Sequence, residues 1–382
     1  MAASITVQQQ LETDRWLIES FVRRGIFDTT DFASFWSQFV GVMTREMHRL
    51  PNDDAHLRMK KFLAMHWLRA FLCNFYEGPQ PAFYCEPGAL RQSVYYAAMD
   101  LGIQILTMHP YSPVPDPREL QASFWEQKSS LPGLRIDLEK SCELLRTLAA
   151  KFRAEYETFP AALPSGAPPW TYYTRNDYYD NVDGYILYSM IRHFRPRRII
   201  EIGSGNTTYI SAQAAARNRT DDAAYSCDIT AIEPYPNPVL RAGFPGLTRL
   251  IASKVEDVPL STFEALDEND ILFIDSSHVV RTGSDVIYEF LEIVPRLRKG
   301  VLVHAHDIFL PQEYPKKWTL EVNRYWTEQY LLQAFLAFND AFEVLLPTAY
   351  VQTHAPQVME ESFPGFRRDG WLYSNFWMRK AR

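Results

Sequence analysis

The stretch Arg197–Ser211, RRIIEIGSGNTTYIS, decides how the rest of the chain is read. Arg198-Ile199-Ile200-Glu201-Ile202 is a short apolar run closed by a glycine turn, the pattern of a strand, and TTYISAQAAARN turns at once into a helix. A strand, a glycine loop and a helix start therefore follow one another. In such a loop Gly203 and Gly205 can take backbone angles closed to other residues and let a ligand approach the main chain, while Asn206 and Thr207 cap the helix. A nucleotide-like ligand fits that arrangement.

The same Gly-x-Gly spacing also serves dehydrogenases and plain turns, so the surroundings must decide. Downstream, CDITAIEPY (Cys227–Tyr235) reads as a second apolar strand ending in Glu233, whose carboxylate can accept hydrogen bonds from both hydroxyls of a ribose. Asn206-Thr207-Thr208 stands where a dinucleotide fingerprint would continue toward a third glycine, which favours a ligand without phosphates. Glu201-Ile202-Gly203-Ser204-Gly205 followed by Ile232-Glu233-Pro234 resembles motifs I and II of class I S-adenosylmethionine-dependent methyltransferases, in the branch with Gly-Ser-Gly-Asn-Ser/Thr-Thr. The resemblance implies an α/β, Rossmann-like doubly wound methyltransferase sheet. It also implies an S-adenosylmethionine site formed by Glu201, Gly203, Gly205, Asn206, Thr207, Glu233 and Asp275, with the turn at Val255-Glu256-Asp257 as candidate contact to adenine.

The chain has 382 residues, which leaves room for a second part beside a cofactor fold of roughly 200 residues. Its 39 basic and 46 acidic residues give a net charge of −7, against a nucleic-acid grip or an anionic membrane surface. Cys73, Cys85, Cys142 and Cys227 show neither metal-ligand spacing nor the density of a disulfide scaffold, so reduced thiols are expected. MAASITVQQQLETDRW has no basic flank leading into an apolar run, and no stretch reaches the roughly 18 apolar residues of a membrane span. These features point to a cytoplasmic enzyme.

From Val7 to Glu77 the apolar spacing is helical, carried by Trp16, Phe21, Phe35, Phe39, Phe62, Trp67 and Phe71, and a small helical bundle is expected, its aromatics as core. Its apolar faces suggest a homodimer through these helices. A proline-stiffened loop from His109 to Pro117 leads to a long helix over Leu138–Glu157, and a proline-rich break at Phe159–Trp170 follows. The expected division is 1–158, an N-terminal mostly helical domain with a substrate-side joint, and 159–382, the methyltransferase domain. Tyr185–Phe194 reads as a helix feeding the first strand, and the Asn176–Asp183 loop before it should come near the cofactor. LTRLIAS, DILFIDSSH and GVLVHAHDIF read as third, fourth and fifth strands, with a helix from Ser284 to Leu297, and FEVLLPT and GWLYSNFWMRK close the sheet.

Ligands in an open α/β sheet sit at the carboxyl ends of the strands, and two acidic-histidine clusters fall there: Asp275-Ser276-Ser277-His278 and His304-Ala305-His306-Asp307. In methyl transfer the sulfonium is already a good leaving group, so the protein mainly positions the acceptor and removes its proton. His278 is the candidate general base, on a loop past a strand end with an ordinary titration near neutral pH, and His306 is a second catalytic candidate. Asp275 and Asp307, with His306 completing the set, could hold Mg²⁺, Mn²⁺ or Fe²⁺ against substrate hydroxyls. His304 reads as a buried strand histidine. The two clusters are similar to those of sugar O-methyltransferases acting on macrolide antibiotics, which implies Asp275 and Asp307 as metal ligands and His278 as base. His306 stands where those enzymes place a carboxylate, and related methyltransferases share the His-Asp ending without a metal, so the metal stays open. Downstream, Trp326, Leu331 and Phe335 read as core along one helix, while Glu313, Tyr314 and Glu328 could face an acceptor.

The expected function is methyl transfer to oxygen of a small polar or glycosyl biosynthetic acceptor. N-methylation of a small molecule or peptide, an NAD-dependent oxidoreductase and a non-catalytic S-adenosylmethionine-binding partner are the alternatives.

Overall fold

The computed structural model describes residues 112–366, 368 and 372–382. The expected N-terminal bundle, its dimer face and the first three residues of the His109–Pro117 loop lie outside the described residues. Val114–Arg382 forms one compact unit, and the expected break at 158/159 falls inside it. Helix Leu138–Tyr156, which lies before that break, buries Leu145, Leu148, Phe152 and Tyr156 in the same core as helix Asn181–Phe194.

Among the described residues seven strands form the sheet: β1 (Arg198–Ile202), β2 (Asp228–Ile232), β3 (Leu247–Ile251), β4 (Ile271–Ile274), β5 (Leu302–Ala305), β6 (Phe342–Pro347) and β7 (Phe376–Lys380). Their order is β3-β2-β1-β4-β5-β7-β6. The first five run parallel, and β7 is antiparallel to both β5 and β6. The order reverses between β1 and β4, and a switch point of this kind opens a crevice at the strands' carboxyl ends.

Helices on both faces explain why β4 and β5 are buried along their whole length and read as unbroken apolar runs. Each fully buried Ile, Leu or Phe in these strands stabilises the fold by roughly 1.5–3 kcal/mol. Edge strand β3 is half exposed, and polar Thr248 and Arg249 occupy its open positions. Two polar residues break the apolar rule inside the strands, Glu201 in β1 and His304 in β5, both fully buried.

The crossover before β5 departs from a single helix over Ser284–Leu297. An α-turn at Asp285–Tyr288 passes into a π-helical Glu289–Ile293 and ends as a 3-10 turn at Val294–Arg296. Glu289, in the π segment, is fully buried, and its Oε2 accepts from the Ser276 hydroxyl at 3.0 Å. Between β5 and β6 lie a short helix, Lys316–Leu320, and a longer one, Glu328–Leu336. Trp326 precedes it rather than sharing its face.

Candidate functional site

The glycine loop after β1 is shaped by one contact. Gly203 sits at φ +77°, and a Cβ there would stand 1.8 Å from the carbonyl oxygen of Asp275. Only glycine lets the end of β1 pass so close to the end of β4. Its N–H donates to the Ile232 carbonyl at 3.0 Å, so one residue ties together the ends of β1, β2 and β4. Gly205, with an extended φ of 173°, caps helix Asn206–Asp221, and its N–H donates to Thr208 Oγ1 at 3.1 Å. No atom lies within 4 Å of where its Cβ would be.

Glu201 lies beneath this loop. The Thr207 hydroxyl donates to its Oε1, and Oε2 has no hydrogen-bond partner among the described residues. Burial, only partly offset by the Thr207 and Thr208 hydroxyls, pushes this carboxyl up to about 8. Glu233 ends β2 half-buried and accepts from the N–H groups of Ser204 at 3.2 Å and Tyr235 at 2.8 Å. Its carboxylate is thus held on the rim of the glycine loop. Val255 is buried at the start of the 3-10 turn Val255–Asp257.

The second half of the site gathers at the ends of β4 and β5. Asp275, His278 and Asp307 bring three ligand atoms within 4.8 Å of one another. His278 Nε2 is 3.3 Å from Asp275 Oδ1 and 3.7 Å from Asp307 Oδ2. His306 Nδ1 faces the same pair of carboxylates, at 3.4 Å and 3.6 Å. On its other side Nε2 is 4.0 Å from Asp183 and 3.4 Å from the Ser374 hydroxyl. The expected trio of Asp275, His306 and Asp307 is therefore drawn together with His278 added. The group whose ligand atoms are all mutually close contains His278 rather than His306.

Electrostatics change what His278 can do. Burial disfavours its charged form, but Asp275, Glu328 and Asp307 outweigh that and hold it up at about 10. At neutral pH it carries its proton, unlike the freely titrating imidazole expected on a loop. His306 is likewise held well above its ordinary value, with Asp307 and Asp275 overcoming its burial. These imidazoles hold Asp275 far below the usual carboxylate range despite its burial. His304 is pushed the other way, down to about 3 by burial, and bonds through Nε2 to Asn375. It stacks on Phe273, with ring centroids 4.2 Å apart, and is a core residue.

Several contributors come from segments with no local signature. Asn375 joins the Tyr179 hydroxyl at 2.6 Å, His304 and the Asp183 carboxylate at 2.8 Å, linking β7 to helix Asn181–Phe194 and to the loop before it. That Asn176–Asp183 segment reaches the histidines: the Tyr179 ring lies 4.7 Å from the His306 ring. Trp326, expected as core, lies against His278 with centroids 4.2 Å apart. Glu328 is fully buried, not turned to an acceptor, and meets His278 Nδ1 at 2.7 Å. Tyr314 is buried too, its oxygen accepting from the Gln329 N–H, and Glu313 accepts from the Tyr330 hydroxyl.

A parallel sheet with an antiparallel seventh strand, a glycine loop at its switch point and an acid closing β2 define a Rossmann-like enzyme class that binds an adenosine-type cofactor. Residues 200–308 match the family model described as a methyltransferase domain. An uncharacterized protein of Archaeoglobus fulgidus is 32% identical over 168 residues, covering 43% of this chain and 74% of that protein. The chain belongs to the class I S-adenosylmethionine-dependent methyltransferases, and the oxidoreductase alternative gives way.

Among solved structures, the chain is similar to an O-methyltransferase from Bacillus cereus in complex with S-adenosylhomocysteine. The two are 14% identical, with 65% of this chain and 92% of that one covered, at a TM-score of 0.33. It is also similar to the O-methyltransferase TomG of Streptomyces achromogenes, involved in tomaymycin synthesis and in complex with S-adenosylmethionine. There the identity is 15%, the coverage 65% and 91%, and the TM-score 0.33. Likeness at these scores bears on neither substrate nor mechanism. No helix among the described residues is long and apolar enough to cross a membrane.

Proposed function

We propose that this methyltransferase acts in the cytoplasm on an oxygen of a small polar or glycosyl biosynthetic acceptor, with His278 facing the acceptor. The observation that carries the reading is the convergence of Asp275, His278 and Asp307 at the carboxyl ends of β4 and β5. In this reading the Gly203–Thr207 loop and Glu233 hold S-adenosylmethionine, Glu233 through the ribose hydroxyls. The acceptor enters beside the acid-histidine cluster, and in-line attack on the methyl follows once its hydroxyl proton is removed.

The donor set suits a divalent cation: two carboxylate oxygens and an imidazole nitrogen fit Mg²⁺, Mn²⁺ or Fe²⁺. Asp275 and Asp307 would hold it with His306, whose Nδ1 faces both carboxylates, leaving His278 Nε2 to the acceptor. When bound, it would polarise an acceptor hydroxyl and offset two of the three carboxylates that hold the His278 proton. His278 Nε2 receives the acceptor proton in its neutral form; in its charged form it is a hydrogen-bond donor to the acceptor oxygen.

The high hold on the His278 proton favours one second reading. An amine sheds its proton more readily than an alcohol and needs less from a base, so N-methylation of a small molecule uses the same cluster.

The test is transfer of labelled methyl from S-adenosylmethionine to a panel of sugar-linked hydroxyl acceptors and matched amines, with chelator and with added Mg²⁺ or Mn²⁺. Label on hydroxyl acceptors alone supports O-methylation. Label confined to amines moves the assignment to the second reading.

A further inference from the structure

The loop that carries His278 is gripped by a single segment of the β5–β6 connection, Trp326–Glu328. Trp326 lays its ring against the imidazole. The N–H groups of Thr327 and Glu328 both donate to the His278 carbonyl, at 2.8 Å and 3.1 Å, and Thr327 Oγ1 accepts from the Val280 N–H at 2.7 Å. Glu328 Oε2 meets Nδ1 at 2.7 Å. His278 itself stands at φ 60°, a left-handed conformation that costs a non-glycine residue about 1–2 kcal/mol. The two main-chain bonds to its carbonyl offset that cost and fix where the ring begins. Glu328 then fixes which way the ring points.

Glu328 is an expensive choice for mere packing. It is fully buried, and its Oε1 has no hydrogen-bond partner among the described residues. Burying a carboxylate costs several kcal/mol unless a charged or hydrogen-bonded partner compensates, and leucine would fill similar space without that cost. Among the described residues its carboxylate bonds to Nδ1 of the imidazole whose other nitrogen faces Asp275 and Asp307.

We infer that Glu328 is a positioning residue: by binding the Nδ1 proton it fixes the imidazole's orientation and keeps Nε2 as the nitrogen presented between Asp275 and Asp307. This rests on the proposed role of His278 as the acceptor-facing group. Glu328 touches neither acceptor nor cofactor in this account and acts only through the ring.

The experiment is proton NMR of ring N–H groups in the full chain, compared across the wild type, Glu328→Gln and Glu328→Leu, with His278→Gln identifying the signal. The wild type shows a far-downfield Nδ1–H proton. Glu328→Gln, whose amide oxygen still accepts, retains it, and Glu328→Leu loses it. In turnover, Glu328→Leu lowers kcat by about 10–100-fold, the range for removing a buried orienting partner of a histidine, with KM for S-adenosylmethionine unchanged and Glu328→Gln recovering most of the loss. If the leucine variant does not fold, Glu328→Asp, too short to reach Nδ1, makes the same comparison with Glu328→Gln. A downfield proton that survives loss of the carboxylate's reach overturns the inference. So does an equal fall in kcat for the glutamine and leucine variants, or a loss confined to KM for S-adenosylmethionine. Full turnover by His278→Gln would contradict the acceptor-facing role instead, and the ring-proton signal does not depend on it.

Discussion

Replacing Gly203 by alanine puts the account of the cofactor loop under its hardest strain. The added Cβ would stand 1.8 Å from the Asp275 carbonyl oxygen and 2.7 Å from its carbonyl carbon. Ordinary contact is roughly 3.4 Å or more, so the loop and the end of β4 must part by more than an ångström. Two costs add: about 1–2 kcal/mol for a side chain at positive φ, and about 1–3 kcal/mol for overpacking against backbone that has little room to relax. The sum, about 2–5 kcal/mol, corresponds to a fall in Tm of several degrees or more, at roughly 2–4 °C per kcal/mol for a domain of this size. Parting β1 from β4 also moves Asp275 away from the glycine loop, so S-adenosylhomocysteine affinity should fall with stability. Gly205→Ala is the control: with no neighbour within 4 Å of its Cβ and an extended φ, it should leave Tm within about a degree. Thermal unfolding and calorimetric titration of both variants make the comparison. A Gly203→Ala protein with wild-type Tm and wild-type affinity would refute the reasoning.

Glu201→Gln tests the buried carboxyl under the loop. Its pKa is raised from 4.5 to about 8, so the folded state binds a proton that the unfolded chain has released across that interval. The stability this protonated carboxyl contributes is fully present below pH 4.5 and is lost as pH rises through about 8. Relative to the glutamine variant, the wild type should therefore weaken by up to about 1.4 kcal/mol per pH unit between those limits, and parallel denaturation curves from pH 5 to 8 would show the assignment wrong. His278→Ala should lower turnover by about 10²–10⁴-fold while leaving S-adenosylhomocysteine affinity intact, measured by single-turnover kinetics and titration; an unchanged rate would remove His278 from the chemistry. Stripping divalent cations with a chelator should depress turnover, and Mg²⁺ or Mn²⁺ should restore it. Activity indifferent to chelator would take the cation out of the account.

What the sequence disclosed follows from where its signals are local. The apolar run ending at Gly203, the acid ending β2 and the clusters after β4 and β5 each combine a strand pattern with a polar stop, and the sheet's topology brings such stops to one edge. That places Asp275, His278, His306 and Asp307 together without any knowledge of side chains. Glu328 reads from the sequence as an acid that could face an acceptor, and in the structure it opens the helix, where the helix dipole also favours an acid. Its burial against His278 depends on how the β5–β6 connection folds back, a pairing across 50 residues that no local period encodes. The helical spacing runs on past the true start of the helix at Glu328, and so places Trp326 on its face although it lies before it. The π-helical turn at Glu289 escaped detection because one extra residue per turn leaves the apolar spacing almost unchanged over so short a segment. The proton affinity of His278 was hidden as well, because it is set by three carboxylates gathered from different loops.

Calorimetric titration of the chelator-treated protein with S-adenosylhomocysteine, alongside a Glu233→Ala variant and NAD⁺, tests the central claim most directly. One site for S-adenosylhomocysteine is expected, weakened in the Glu233→Ala variant, with no heat from NAD⁺. Binding of S-adenosylhomocysteine that is indifferent to Glu233, or no binding to a folded protein in the presence of acceptor and Mg²⁺, would contradict it.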